Sequence, residues 1–156
     1  MIKCELEDGT QVSMRHTTVD ALLVKERSVV LSMRAEGIPQ AGCWALPGGY
    51  IDRDETVMEA LVREVAEEIG VEVLSADLFA VMSDPRRDAR ERQNITLVFL
   101  VKQWEGIPRE SCEVSAVKLF SDSDKPGPRE MAADHHKILE RYFAWLNEPG
   151  ALPMIL

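Results

Sequence analysis

The chain has 156 residues, of which 46% are hydrophobic and 29% charged, and its 18 basic against 27 acidic residues give a formal net charge of −9. This length is enough for one hydrophobic core, so the composition predicts a single domain over residues 1–156 that folds without disulfides or a structural metal. The acidic balance argues against a general nucleic-acid binder, because such proteins neutralise phosphates with clustered Lys and Arg.

The apolar segments and the cysteines predict a cytoplasmic protein that does not bind membranes. Apolar runs such as residues 97–101 are far shorter than the roughly 18 residues that span a bilayer. The N-terminus has no basic start, apolar middle and small-residue cleavage site of a signal peptide. Cys4, Cys43 and Cys112 are widely spaced and form no C-x-x-C pair, which is typical of reduced thiols.

The first third of the chain is rich in β-forming residues. Residues 17–24 and 28–33 predict two strands joined by a charged turn. Residues 34–43 contain glycines and a proline without a clear period and predict an irregular loop. A short strand at residues 44–46 and a turn at residues 47–49 follow. This part of the chain therefore predicts the beginning of a sheet.

A helix follows, with apolar residues that recur every four positions at Val57, Leu61, Val65 and Ile69. Asp54 or Thr56 can cap its start, and Gly70 stands where a helix-ending glycine belongs.

The second half of the chain repeats the strand-and-helix pattern. Residues 71–82 and 94–101 predict two buried strands on either side of a polar loop at residues 83–92. Residues 116–120 predict a further strand, and residues 132–147 carry apolar side chains at helical spacing. Strands mixed with two well-separated helices predict an α/β or α+β domain with its sheet packed between helices.

Three glutamates of the first helix are the clearest chemical signal. Glu64, Glu67 and Glu68 project toward one sector of the helix because successive residues turn by about 100°. Like charges at this spacing oppose helix formation, and a hard divalent cation such as Mg²⁺ would offset the repulsion. The alternative is an acidic helix face that only water contacts.

The wider pattern resembles the Nudix box, G-x5-E-x7-R-E-U-x-E-E-x-G-U with U aliphatic. Every specified position matches: Gly49, Glu55, Arg63, Glu64, Val65, Glu67, Glu68, Gly70 and Val71. The resemblance extends over residues 17–147. It implies a Nudix-type α/β/α sandwich with a mixed sheet between helices, in one Nudix hydrolase domain.

The resemblance also implies an activity, namely hydrolysis of a nucleoside diphosphate linked to another moiety, with Mg²⁺ or Mn²⁺ as cofactor. By similarity, Glu64, Glu67 and Glu68 hold the metal with help from a backbone carbonyl near Gly48 or Gly49. Clustered divalent ions can neutralise a diphosphate and activate a water molecule. By the same resemblance, Glu55 and Arg63 form a supporting ion pair, while Gly48 provides the backbone turn.

The general base is left open by the resemblance. In some Nudix enzymes it corresponds to Glu64, and in others it is a carboxylate from a later loop. Glu110, Glu113 and Glu130 all lie in suitable loops, and of these Glu113 is preferred. A surface acid that contacts only solvent is the alternative for each.

Arginines on two loops are candidates for phosphate binding. Arg86, Arg87, Arg90 and Arg92 fall within seven residues of an otherwise acidic chain, and guanidinium groups bind phosphate in bidentate fashion. We single out Arg87 and Arg90 there, and Arg34 at the end of the second strand. Internal Asp–Arg pairs on an exposed loop are the alternative.

The substrate is predicted from three short segments that resemble the ADP-ribose pyrophosphatase-like branch of the family. They are the arginine loop beginning Ser83-Asp84-Pro85, the pair Val19-Asp20, and the closing segment Asp134-His135-His136-Lys137-Ile138-Leu139. Ala89 and Ala133 depart from that branch, which often has Pro and Phe there. The branch implies cleavage of ADP-ribose to AMP and ribose 5-phosphate. Homodimers are common in it, although no pattern here locates an interface.

Two other functions use the same residues. A MutT-type nucleoside triphosphate pyrophosphohydrolase would use the same carboxylates with a different base pocket. A Nudix module that senses a nucleotide without cleaving it is disfavoured by the intact Glu64, Glu67 and Glu68.

Overall fold

The computed structural model describes residues 2–87 and 93–156. A separate antiparallel hairpin comes first, formed by β1 (Ile2–Glu5) and β2 (Gln11–Met14). The remaining elements follow in this order: β3 (Thr17–Lys25), β4 (Ser28–Arg34), β5 (Trp44–Ala45), β6 (Gly48–Tyr50), α1 (Val57–Ile69), β7 (Glu72–Met82), β8 (Ile95–Glu105), β9 (Val114–Phe120), α2 (His135–Asn147) and β10 (Met154–Ile155).

The larger sheet is mixed. Its strands run in the order β10-β7-β8-β3-β4-β5, while β6 pairs with β3 and β9 pairs with β4. β3 lies parallel to β8, and β10 lies parallel to β7, whereas the other pairs are antiparallel. The order brings β3 to the middle of the sheet, where it borders both β8 and the glycine-containing β6.

Alternation along β3 places one helix on each face of the sheet. Val19, Ala21 and Leu23 belong to the core under α1, with Leu61 and Val65 of that helix. Leu22 belongs to the opposite core, whose α2 residues are Ile138, Leu139, Tyr142 and Phe143. Neighbouring strand residues point to opposite faces, so even-numbered residues of β3 face the α2 side. The predicted sheet between two helices is thereby confirmed.

Most predicted elements are present, with shifted ends. α1 ends at Ile69 as predicted, whereas α2 begins at His135, three residues later than position 132. Gly48 and Gly49 belong to strand β6 rather than to a turn, because they pair with Asp20 and Val19 of β3. The hairpin β1–β2 and the short β10 are not predicted from the sequence.

Membrane-spanning helices are absent from the described ranges 2–87 and 93–156, since none of their helices is long and apolar enough to cross a bilayer.

Candidate active site

Helix α1 positions the acidic residues because both its start and its core face are fixed. The Thr56 side chain accepts a hydrogen bond from the Glu59 backbone N–H, and the Glu59 side chain accepts one from the Thr56 N–H, forming a capping box. The helix ends at Gly70, which has a left-handed φ of 69°. The buried residues are Ala60, Leu61, Val65 and Ile69. The glutamates therefore lie on the flank of a helix that is held firmly against the sheet.

Glu68 is the most perturbed acid of this helix. Its pKa is raised to about 8, chiefly by burial and also by the nearby Glu64 and Glu113, although a hydrogen bond from the Gly48 N–H and the Arg34 charge oppose the rise. Burial also raises the pKa of Glu64, although its contact with Arg63 opposes the rise. A carboxyl group with a raised pKa lacks compensating positive charge. The site is therefore suited to receive a cation.

Two glycines bring the backbone of β6 against these acids. A Cβ at Gly49 would lie 2.4 Å from the Oε1 atom of Glu64, and a Cβ at Gly48 would lie 2.1 Å from the carbonyl oxygen of Val19. Neither separation is tolerable for real atoms. Any other residue at either position would thus displace the acid or the neighbouring strand.

Arg63 links the strand, the loop and the helix. Its Nη2 atom donates to Glu55 Oε1 over 2.6 Å and to the Tyr50 carbonyl over 3.0 Å, and its Nη1 atom donates to Glu64 Oε1 over 2.9 Å. Hydrogen bonds from Arg63 lower the pKa of Glu55, and the same contact raises the pKa of Arg63. Arg63 and Glu55 form the ion pair that the family resemblance implied.

A cavity of about 400 Å³ opens beside the acidic helix face. Glu64, Glu67 and Glu68 line one wall, and Gly48 and Gly49 lie next to them. This volume is within the range of roughly 300–1,000 Å³ that is usual for small-molecule sites.

Two of the predicted loop residues lie on the same cavity. Glu113 and Arg34 are both part of the wall. The Nε atom of Arg34 donates to the Pro39 carbonyl over 2.7 Å, which holds its side chain along the cavity. Of the two other loop acids considered as bases, Glu130 accepts a hydrogen bond from the Gly127 N–H over 2.8 Å and so stabilises its own loop.

Arg87 lies on the opposite wall, but its guanidinium is already paired. It is 6% exposed and forms a bidentate contact with Asp134, including Nη2 to Oδ1 over 2.8 Å. Its Nη1 atom also donates to Thr96 Oγ1 and to the Met82 carbonyl. This differs from the expectation of a free phosphate-binding guanidinium, because a buried arginine requires its own counter-charge. Arg90, the other predicted arginine of this loop, lies outside the described residues.

The remaining polar residues of the far wall are Thr18, Asp20, Asn94, Thr96, Asp134 and His135. Asp20, Asp134 and His135 lie in the segments that carry the family resemblance, but none of the six was predicted as a site residue. His135 Nδ1 accepts a hydrogen bond from the Leu46 N–H over 3.0 Å. The signal that could have assigned Asp20 to the site is its position as an acid in the middle of an otherwise apolar strand segment. A buried charge in such a segment indicates a site.

The contacts of the carboxylates determine how well they could hold a metal. Within the described part of the chain, no three acidic, His or Cys side chains already converge as a metal cluster. Glu64 forms a salt bridge with Arg63, and the side chain of Glu67 is 64% exposed. The oxygen donors nevertheless suit a hard divalent cation such as Mg²⁺ or Mn²⁺, and the raised pKa values of Glu64 and Glu68 fit the same ligand.

Known proteins resemble this chain in both sequence and fold. The family profile of the NUDIX domain matches residues 14–142. An ADP-ribose pyrophosphatase of Methanocaldococcus jannaschii is 35% identical over 129 residues, which cover 83% of this chain and 73% of that protein. An 8-oxo-dGTP diphosphatase of Proteus vulgaris is 30% identical over 102 residues, which cover 64% of this chain and 88% of that protein.

A solved structure extends the likeness to three dimensions. The NUDIX domain of Shewanella oneidensis NrtR, crystallised with ADP ribose, matches with a TM-score of 0.72 and 27% identity. The match covers 86% of this chain and 90% of that domain. The family match over residues 14–142 includes the acidic helix and the two glycines of β6. The chain therefore belongs to the Nudix hydrolase family.

Proposed function

We propose that this protein hydrolyses the diphosphate of a nucleoside diphosphate linked to another moiety, with ADP-ribose as the substrate and AMP and ribose 5-phosphate as products. The observation that carries the proposal is the placement of Glu64 and Glu68, two carboxyl groups with raised pKa values, on one cavity beside the β6 backbone. The similarity to the ADP-ribose pyrophosphatase supports the choice of substrate.

Glu64, Glu67 and Glu68 are the residues that would hold Mg²⁺ or Mn²⁺, together with the Gly49 carbonyl oxygen. When bound, the metal supplies charge neutralisation of the diphosphate and a lowered pKa of water. Arg34 adds a positive charge on the same cavity and can contact a phosphate oxygen. Arg90 is retained as a second phosphate ligand on the basis of the sequence alone.

Glu113 is the proposed general base. It lines the cavity and lies near enough to Glu68 to raise the pKa of that residue. A water oxygen attacks one phosphorus, the anhydride P–O bond breaks, and the water proton passes to Glu113. Glu64 is the alternative base, although its Oε1 atom already accepts from Arg63.

The experiment that tests this function is turnover of ADP-ribose with Mg²⁺, compared between the wild type and Glu113→Gln. We expect AMP and ribose 5-phosphate from the wild type. Loss of proton transfer typically lowers kcat by about 10²–10⁴-fold. Full activity of Glu113→Gln would remove this residue as the base and leave Glu64.

A second candidate function is hydrolysis of an oxidised nucleoside triphosphate. It is favoured by the similarity to the 8-oxo-dGTP diphosphatase. Competition between ADP-ribose and 8-oxo-dGTP at equal concentrations separates the two functions. Tight Mg²⁺-independent binding of ADP-ribose without product would instead favour a nucleotide-sensing module. Light scattering in solution tests the homodimer that we propose by analogy with the branch.

A further inference from the structure

The cavity wall opposite the acidic helix contains a buried acid with an unsatisfied oxygen. Asp20 is 6% exposed, and its Oδ2 atom has no hydrogen-bond partner within the described structure. The Nε2 atom of His135 lies 3.6 Å from this Oδ2 atom, a distance too long for a hydrogen bond. Buried polar atoms in folded proteins nearly always have a partner. The Oδ2 atom of Asp20 is therefore free to accept a hydrogen bond from a ligand.

The neighbours of Asp20 are already engaged with other groups. Both oxygens of Asp134 accept from Arg87. The Nδ1 atom of His135 is held by the Leu46 N–H over 3.0 Å. The Thr18 and Thr96 hydroxyls bond to each other over 2.7 Å. Because the Nδ1 atom of His135 accepts, its proton is on Nε2, which lies 3.6 Å from the Oδ2 atom of Asp20. This separation leaves the Asp20 oxygen open to a donor from a ligand, beside His135.

The backbone connects Asp20 directly to the acidic site. In the β3–β6 ladder Asp20 lies opposite Gly48, whose N–H donates to Glu68. Asp20 belongs to the even-numbered face of β3, on the α2 side, and it lines the same cavity as Glu64 and Glu68. A ligand with its phosphates at α1 can thus extend its uncharged part toward Asp20.

We propose that Asp20 is a specificity-determining residue that accepts a hydrogen bond from a hydroxyl or amino group of the substrate. This inference rests on the proposed function. An ionised Asp20 would repel a phosphate, and Arg87 is already neutralised by Asp134, so this wall suits an uncharged donor better than a phosphate. Two groups of ADP-ribose supply the required donor, namely a ribose hydroxyl and the adenine 6-amino group.

The test is a cycle between protein variants and substrate analogues. We measure kcat/KM with Mg²⁺ for ADP-ribose, for its inosine counterpart, which lacks the amino group, and for its 2′-deoxyadenosine counterpart, which lacks one hydroxyl. Hydrogen bonds to charged groups correspond to about 10- to 100-fold in affinity. We expect the wild type to disfavour one analogue by that factor, and the analogue identifies the donor.

Asp20→Leu should abolish this discrimination, because it removes the acceptor and leaves no new buried charge. Asp20→Asn keeps one acceptor oxygen and should restore part of it. The matched control is Ser32→Ala, which alters a buried polar residue on the neighbouring strand that donates to the Ala45 carbonyl. It should leave the ratio between substrates unchanged.

Two outcomes would overturn the assignment. One is an equal loss for all three substrates in Asp20→Leu, which indicates a purely structural role. The other is a wild type that does not distinguish the analogues. Dissociation constants measured by calorimetry with Ca²⁺ separate this failure from failure of the proposed function. Discrimination in binding without product would refute hydrolysis and support Asp20, whereas absence of binding by all three compounds would overturn both.

Discussion

The backbone N–H of Gly48 donates a hydrogen bond to the Oε2 atom of Glu68 over 3.2 Å. This contact joins strand β6 to the last turn of α1 and places the most perturbed acid of the helix at the cavity wall. Since burial raises the pKa of Glu68 to about 8, one backbone donor does not compensate its negative charge. A bound cation would complete the site.

Glu68→Gln tests the metal-binding role of the helix. The substitution keeps the size and the hydrogen-bond acceptor but removes the charge, so we expect kcat with Mg²⁺ to fall by about 100-fold or more. The matched control is Glu72→Gln, which removes the charge of an exposed glutamate at the start of β7. Turnover near the wild-type rate in Glu68→Gln would contradict the assignment.

Glu68→Gln should lower activity but raise thermal stability when metal is absent. A carboxyl group whose folded pKa lies near 8, above its ordinary value of 4.5, stabilises the fold less as pH rises between those values, by at most about 1.4 kcal/mol per pH unit. Metal-free Glu68→Gln should therefore melt at a higher temperature than the wild type at pH 8, with little difference at pH 4.5.

Added Mg²⁺ should then raise the Tm of the wild type and not that of Glu68→Gln, because a ligand that binds the folded state stabilises it. Thermal unfolding with and without Mg²⁺ checks both expectations. Equal Mg²⁺ shifts for the two proteins would show that the ion binds elsewhere.

The helix and its chemistry were predictable because they depend on local patterns. The position of α1 can be predicted from apolar residues every four positions, from the Thr56 cap and from Gly70. Helical geometry then places the glutamates on the flank of the helix. The hairpin β1–β2 was not predictable in this way. Its apolar residues Ile2, Leu6 and Met14 remain exposed, so no alternation of buried and exposed positions marks it.

Gly49→Ala tests the close approach of β6 to α1. The added Cβ would lie 2.4 Å from Glu64 Oε1, so the acid must move away from the cavity. We expect at least a tenfold loss of kcat/KM with a cooperative unfolding transition retained, since misplacement by about 1 Å can cost as much as 100-fold.

Gly150→Ala is the matched control, because nothing lies within 4 Å of its added Cβ. Its activity should equal that of the wild type. An active Gly49→Ala protein would show that Glu64 does not need its present position.

Arg87→Met tests the buried ion pair. The substitution leaves Asp134 buried without its partner, and loss of one member of such a pair costs about 3–5 kcal/mol. The double variant Arg87→Met, Asp134→Leu should recover much of this loss. The exposed pair Lys102–Asp77 is the comparison, and Lys102→Met should cost under about 1 kcal/mol. Urea unfolding measures all three variants, and a mild effect of Arg87→Met alone would contradict the account.

The contacts of the far cavity wall could not be predicted from the sequence, because they join segments that are distant along the chain. Arg87 and Asp134 are 47 positions apart, so a local reading of the arginine loop could not show that this guanidinium is occupied. Asp20 becomes informative only when β3 is placed in the middle of the sheet, facing the start of α2.

The most direct test of the central claim is chromatographic analysis of the products formed with Mg²⁺. The substrates are ADP-ribose, NADH, diadenosine polyphosphates, nucleotide sugars and 8-oxo-dGTP, each incubated with the wild type and with Glu68→Gln. The account predicts that ADP-ribose is cleaved fastest, to AMP and ribose 5-phosphate, and that the variant is inactive. Cleavage of ADP-ribose by both proteins at similar rates, or by neither, would contradict it.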